Sequence, residues 1–262
     1  MAKTHFNKFA IVTGASTGIG RATAIQLAKR DAHIALVART KQKLAETKKL
    51  IEAAGGTADI FPTDLANAAS INQLIDSIKS ATKQVNFLVN IAGIWHSRDE
   101  VFADRDFANF PQQVILDTIS VGTTAPMLLA HAFIPLMPSH SKIINLSGTF
   151  ENGAKGWLPY YVSKKAIEDL TVGLSEELKD KNIQVNGVSP SDTATQSYKK
   201  YFPQYLDESI DPKEIAKFIV KLCSDDSITG KIFVLKKDQQ PFTNFHYWSW
   251  PNTISTNLPT FT

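Results

Sequence analysis

Cysteine is nearly absent from this chain: Cys223 is the only one in 262 residues. That excludes an internal disulfide framework and a cysteine-rich zinc site, and it fits a reducing compartment. A charge excess of either sign is missing too. The 28 basic and 25 acidic side chains leave a net charge of +3, too little for a partner such as nucleic acid or an acidic membrane surface. No apolar run approaches the roughly 20 residues of a membrane span. The first apolar stretch, Phe9-Ala10-Ile11-Val12, stops at Thr13-Gly14, which is too short for a signal-peptide core. The six histidines, His5, His33, His96, His131, His140 and His246, show no metal-ligand spacing, so no metal is expected. Cys223 closes the apolar stretch Ile219-Val220-Lys221-Leu222 and reads as a small core residue rather than a nucleophile. These absences leave a cytoplasmic globular protein, 43% hydrophobic, large enough to bury a core without staples.

What is present is a rhythm. Short apolar runs rich in Ile, Val and Phe, at Phe9–Val12, Ile34–Ala38, Ala58–Phe61, Phe87–Ile91, Ile143–Leu146, Ile183–Val188 and Ile232–Leu235, read as strands. Several are apolar throughout, the pattern of a parallel strand covered on both faces. Between them lie amphipathic stretches at Ile19–Lys29, Lys41–Ala54, Ala68–Ala81, Gln112–Leu136, Tyr160–Lys179 and Pro212–Leu222 that read as helices. The alternation predicts an α/β fold: a doubly wound, mostly parallel, seven-stranded sheet of Rossmann type with helices on both faces. One domain is expected over residues 1–240. Residues 241–262 carry Phe242, Phe245, Tyr247, Trp248, Trp250 and Phe261 without a period. So aromatic a tail is expected to pack on the body or on a neighbouring subunit, or also to cap a cleft.

The first strand runs through Thr13-Gly14-Ala15-Ser16-Thr17-Gly18-Ile19-Gly20 straight into a helix. Glycines let the backbone turn sharply and approach a ligand, and the helix start offers free N–H groups to a pyrophosphate. Strand before and helix after is the context that gives a glycine motif meaning. The spacing T-G-x-x-x-G-x-G resembles the cofactor loop of the short-chain dehydrogenase/reductase family in its compact single-domain form. The likeness accumulates along the chain. Asp64-Leu65 after the third strand matches the family's adenine-binding position. Asn90-Ile91-Ala92-Gly93 resembles Asn-Asn-Ala-Gly, with Ile91 departing. Ser147 ends the fifth strand, Tyr160 and Lys164 supply Tyr-x-x-x-Lys, and Pro190 with Thr195 resembles Pro-Gly-x-x-x-Thr, Ser191 standing in the glycine place.

This resemblance implies Ser147, Tyr160 and Lys164 as catalytic residues. It implies Gly14, Ser16, Thr17, Gly18, Ile19, Gly20, Arg39, Asp64, Leu65, Asn90, Ala92, Gly93, Tyr160, Lys164, Pro190, Thr193 and Thr195 around a dinucleotide. The chemistry stands independently of the name. Tyr and Lys four apart share a helix face. A cation beside a phenol is expected to lower its pKa toward the range that acid–base catalysis needs. A serine hydroxyl can bond a carbonyl oxygen as charge develops on it, and the cofactor carries the hydride. Tyr161 and Lys165 repeat the spacing, but Ser163 before Lys164 follows the family habit and favours the first register.

Two departures stand out. Gly122 falls where the family often has an asparagine that holds a water, so that either Ser120 or Thr118 takes over that task or the proton relay is weakened. Lys236-Lys237-Asp238 replaces an Asp-Gly-Gly. At the end of the second strand Val37-Ala38-Arg39 offers a cation and no carboxylate, with Lys41 and Lys43 beyond, which favours NADP(H) over NAD(H). Residues just past the strand ends should line the substrate cleft: Trp95 with Ile94 and His96, Phe150 with Thr149, then Trp157, and Tyr198 with Tyr201, Phe202 and Tyr205. The last four precede Asp211-Pro212 in a segment long enough for a mobile lid. Such a pocket suits a bulky apolar carbonyl or secondary alcohol, with no Arg or Lys to hold a carboxylate. The expected function is NADP(H)-dependent reduction or oxidation of such a pair, as EC 1.1.1-like enzymes do. A 3-ketoacyl-thioester reductase and a non-catalytic dinucleotide-binding regulator remain alternatives. Family members assemble through the two long helices, so a homo-oligomer, tetramer or dimer, is expected, with Met127, Leu129, Phe133 and Ile167 among the apolar residues those helices carry.

Overall fold

Alternate side chains of each strand point to opposite faces of a sheet, and here both faces are apolar. In β1 (Lys8–Thr13) Ala10 and Val12 enter one core cluster while Ile11 enters the other. In β2 (Ala32–Ala38) Ile34 and Leu36 divide from Ala35 and Val37 in the same way. In β4 (Phe87–Asn90) Phe87 and Val89 oppose Leu88. A strand buried on both faces has to be covered by helices on both, and two layers do so. The computed structural model describes residues 7–150 and 154–244. The expected packing of the aromatic tail from residue 245 onward lies outside the described residues.

One layer comprises α1 (Gly18–Ala28), α2 (Lys41–Ala53) and α8 (Pro212–Cys223), whose Leu27, Leu44, Ile51, Ile215 and Ile219 fill the first cluster. Cys223 lies in that cluster, and burial holds its thiol well above the usual value, up to about 12, as a core residue would have it. The other layer holds α3 (Ala68–Ala81), α5 (Ala125–Phe133) and α6 (Leu158–Glu177). Ile71, Leu74, Ile78, Leu129 and Phe133 supply its contacts with the second cluster.

With β3 (Thr57–Pro62), β5 (Lys142–Leu146), β6 (Gln184–Pro190) and β7 (Ile232–Leu235), the strands lie in the order β3-β2-β1-β4-β5-β6-β7, all parallel. The order reverses between β1 and β4, and a doubly wound sheet binds ligands in the crevice at that switch. The seven-strand expectation needs one correction. A two-residue β8, Phe242–Thr243, pairs antiparallel with β7, so the sheet has eight strands and reaches into the segment read as tail. Two residues are too few to carry a period.

The long helical stretch is also not uniform. Between α4 (Gln112–Ile119) and α5, residues Ser120–Thr124 form a widened π turn, a break that often marks a functional site. By length and composition Gln112–Leu136 could cross a bilayer, an 18-residue window of it reaching a mean hydropathy of 1.4. Val121, Leu129 and Phe133 instead pack into the core beside the sheet, the place of a core helix. On this face Phe133 and Ile167 are buried within the subunit while Met127 is exposed.

Candidate active site

The crevice is tied shut at its base. Thr13 Oγ1 at the end of β1 accepts the backbone N–H groups of Ile91 at 3.0 Å and Ala92 at 3.2 Å. Those bonds draw the glycine turn against the loop after β4. Gly14 has φ +68°, and a Cβ there would lie 3.0 Å from Ala92 N; at Gly20 it would lie 2.2 Å from Gly14 O. Both positions therefore require glycine. The helix that follows is left open for an anion. Thr17, the N-cap of α1, makes no side-chain cap bond, and the first turn carries no acidic residue. Free N–H groups at the positive end of the helix dipole fit a pyrophosphate. Ile19, in that first turn, borders the catalytic cavity, and Gly18 lies against the Thr195 methyl.

The remaining expected dinucleotide residues are spread around this cradle. Arg39 is exposed just past β2. Its charge reaches His96, which does not border the catalytic cavity and whose pKa is lowered first by burial, with the charges of Arg39, Lys200 and Lys43 adding against an opposing bond to Ser97. Asp64 is exposed and its carboxylate accepts the N–H of Ala66 at 3.0 Å. Leu65 sends its side chain into the core, so only its backbone could meet a ligand. Asn90 is buried, and its amide donates to Asn145 Oδ1 at 2.9 Å. Its own Oδ1 has no partner among the described residues. Ile91, where the family pattern has a second asparagine, joins the core. Gly93 has Lys164 beside it: a Cβ there would lie 3.3 Å from Lys164 Nζ. Pro190 accepts the Thr149 N–H at 3.1 Å, Thr193 bridges to Ile210, and Thr195 caps α7 (Gln196–Tyr201) through the Tyr198 N–H.

Tyr160, Lys164 and Glu168 are spaced by four along α6 and so share its inner face. Lys164 is 1% exposed. Its Nζ donates to Leu146 O at 2.7 Å and sits 5.4 Å from the centre of the Tyr160 ring. Burial pulls the ammonium down to about 8 against the supporting charge of Glu168. Burial pushes the Tyr160 phenol above the ordinary tyrosine value, opposite to the expected direction. The reason is geometric: the ammonium lies by the ring and bonds a backbone carbonyl. That direction favours the protonated phenol, the form a proton donor needs. Ser147, at the end of β5, is buried; its hydroxyl reaches Glu168 Oε1 at 2.6 Å and Lys164 O at 3.0 Å.

Ser147 and Tyr160 border a cavity of about 600 Å³, and so do Trp95, Phe150, Trp157 and Tyr198. Trp95, Trp157 and Phe202 stand with ring centres 6.0–6.4 Å apart, and Phe150 meets the Tyr160 ring edge-on at 5.8 Å. Of the flanking residues expected there, Thr149, Phe202 and Tyr205 line the cavity, whereas Ile94 packs on the core and Tyr201 bonds Arg98 O. Lys155 and Asp104 line it too, which corrects the expectation of a wall without a cation. Lys155 stands in a loop rather than just past a strand, so strand ends did not point to it. Tyr161 does not border the cavity; it packs edge-on against Phe150.

One residue that motif reasoning passed over matters here. Glu168 is 2% exposed, and its Oε2 takes an ion pair from Lys165 Nζ at 3.0 Å. Its signal was the helical spacing itself, a carboxylate four residues past Lys164. Gly122 lies in the π turn, where a Cβ would come within 2.8 Å of Ser163 Oγ. An asparagine does not fit there. Thr118, a suggested substitute for holding water, spends its hydroxyl on Val114 O at 2.6 Å.

A family model described as short chain dehydrogenase matches residues 8–206. A fatty acyl-CoA reductase of Acinetobacter baylyi is 34% identical over 234 residues, covering 88% of this chain and 73% of that protein. Among solved structures, the angucycline C-6 ketoreductase LanV with bound NADP is similar at a TM-score of 0.79 and 26% identity, over 89% of this chain and 95% of that one. The promiscuous reductase LugOII, which catalyses keto-reduction at C1 during lugdunomycin biosynthesis, is similar at 0.79 and 25%, over 89% and 97%. Motif by motif and over most of its length, the chain belongs to the short-chain dehydrogenase/reductase family of oxidoreductases.

Proposed function

We propose that the protein is an NADP(H)-dependent oxidoreductase acting on a bulky, apolar carbonyl or its secondary alcohol. The observation that carries this reading is Tyr160 standing with Ser147 in the wall of an aromatic cavity of about 600 Å³, with the Lys164 ammonium 5.4 Å from its ring centre. When bound, the nicotinamide supplies or accepts the hydride. The chain does the rest. In reduction the Tyr160 O–H gives its proton to the substrate oxygen as negative charge develops there, and in oxidation the phenolate takes it back. Lys164, anchored on Leu146 O, keeps a positive charge beside that ring, which favours the phenolate left after proton donation. The glycine cradle and the α1 start would hold the pyrophosphate, with Arg39 toward a 2′-phosphate.

Arg39→Asp tests the cofactor assignment. Exchanging attraction for repulsion is expected to weaken NADPH at least ~10-fold more than NADH, the scale of a single charge-assisted hydrogen bond. Dissociation constants from quenching of protein fluorescence measure it, and an unchanged ratio removes Arg39 from the role.

The substrate class is tested by following NADPH oxidation with an aryl ketone, pyruvate and a 3-ketoacyl thioester. The aryl ketone is expected to have the highest kcat/KM, because aromatic walls gain from apolar burial and Asp104 opposes a carboxylate beside Lys155. Thioester preference would support the second reading, which the acyl-CoA relative favours. NADPH binding with no oxidation of any carbonyl would support a regulator.

A further inference from the structure

A second cavity, of about 770 Å³, adjoins the catalytic one. Thr149, Phe150, Ser191 and Asp192 line both and form the ridge between them. Backbone bonding stiffens that ridge, since the Thr149 N–H donates to Pro190 O at 3.1 Å. Ile232 and Val234 of β7 give the cavity an apolar floor, and Phe242 of β8 stands at its side, 44% exposed. Ser189 on β6 is 2% exposed and shares the face of Val185, which is turned to the α6 layer. Its hydroxyl opens into the cavity and has no hydrogen-bond partner among the described residues. A buried hydroxyl left in that state costs stability until a ligand supplies the bond.

The lining selects the chemistry of such a ligand. Charges of both signs are present and already answer one another: Lys165 pairs with Glu168 at 3.0 Å, and Lys237 bonds the Asp207 carbonyl. An anion or a cation would meet repelling groups, and a wholly apolar ligand would desolvate them without replacing their bonds to water. Neutral hydroxyls both donate and accept, so they satisfy carboxylates, ammonium groups and Ser189 alike. A sugar ring adds C–H faces that can lie on Phe242 and on the β7 floor. We propose that the second cavity binds a glycosyl group carried by the substrate, whose aryl carbonyl part occupies the catalytic cavity across the shared ridge. This rests on the carbonyl/alcohol reading of the catalytic cavity above.

Reduction by NADPH of 4-methoxyacetophenone and of 4-acetylphenyl β-D-glucopyranoside provides the test, because both carry an alkoxy group and their carbonyls are matched in reactivity. The glucoside is expected to have a kcat/KM about 10-fold higher, carried by a lower KM, the scale of one or two added hydrogen bonds. Ser189→Val removes the hydroxyl, and Phe242→Ala removes the ring while keeping the β8 backbone. Each is expected to raise KM for the glucoside about 5-fold and to leave the methoxy ketone within about 2-fold. A glucoside no better than the methoxy ketone in the wild type overturns the inference, and so does an equal loss of both substrates in the variants. Methyl β-D-glucopyranoside separates a substrate appendage from a free sugar. If it quenches protein fluorescence while the glucoside ketone shows no advantage, the cavity is an independent sugar site and the inference falls. Should Ser189→Val fail to fold, Phe242→Ala decides alone. Reduction of neither ketone, or methoxy-ketone turnover untouched by Tyr160→Phe, overturns the site reading and this inference with it.

Discussion

Tyr160→Phe is expected to lower kcat for ketone reduction by at least ~100-fold, the range set by losing a positioned general acid. NADPH affinity should stay within about 2-fold, because only a hydroxyl in the cavity wall is removed. Tyr161→Phe should cost less than about 3-fold, since its ring packs on Phe150 outside the cavity and survives the change. Steady-state rates of NADPH oxidation beside binding titrations check both. Near-normal turnover in Tyr160→Phe, with Tyr161→Phe inactive, would move the catalytic register by one residue.

Gly122→Asn restores the residue that the family often carries, and it is expected to harm rather than help. The new Cβ would meet Ser163 Oγ at 2.8 Å and Ser163 Cβ at 2.9 Å, so α6 has to move or the π turn has to open. Overpacking of this kind costs about 1–3 kcal/mol, a fall in Tm of roughly 2–10 °C for a chain of this size. Because Tyr160 and Lys164 flank Ser163 on α6, turnover should drop as well. Adding Ser163→Ala removes the nearest atom and is expected to recover part of the Tm. Thermal melts followed by assay decide the point. A Gly122→Asn protein with wild-type Tm and faster turnover would contradict this account.

Most strands were readable from sequence because they are short Ile/Val/Phe-rich runs between turn residues, although β6 carries Asn186 and Gly187 inside its buried run. Phe9–Val12 became Lys8–Thr13 and Ile232–Leu235 was matched at both ends. Helix starts were clear for α2 and α3, whose periodic residues begin at Lys41 and Ala68. Three features were hidden for physical reasons. A two-residue strand has no alternation to detect. A π turn keeps the helical composition of Ser120–Thr124 and changes only its pitch. The bond between Ser147 and Glu168 spans 21 positions, and no spacing rule reaches across a strand–helix pair. Reading aromatic residues after strand ends found Trp95, Phe150, Trp157 and Tyr198, yet missed Lys155, because the loop that brings it to the cavity is set by tertiary packing.

The short β8 bears on how the protein behaves in a crowded solution. A sheet margin with unpaired N–H and C=O groups recruits strands from other molecules unless something blunts it. The β3 margin is blunted by Asp59 and by Pro62, which has no N–H to offer. At the far margin β7 is Ile-Phe-Val-Leu, uncharged throughout, the composition that adds to foreign strands most readily. Phe242–Thr243 covers it, with Thr243 opposite Phe233 and Phe242 opposite Val234. A chain cut before Phe242 lays that margin bare, so its colloidal stability suffers well before its catalytic chemistry does. Two residues of strand thus occupy the part of that margin at Phe233 and Val234.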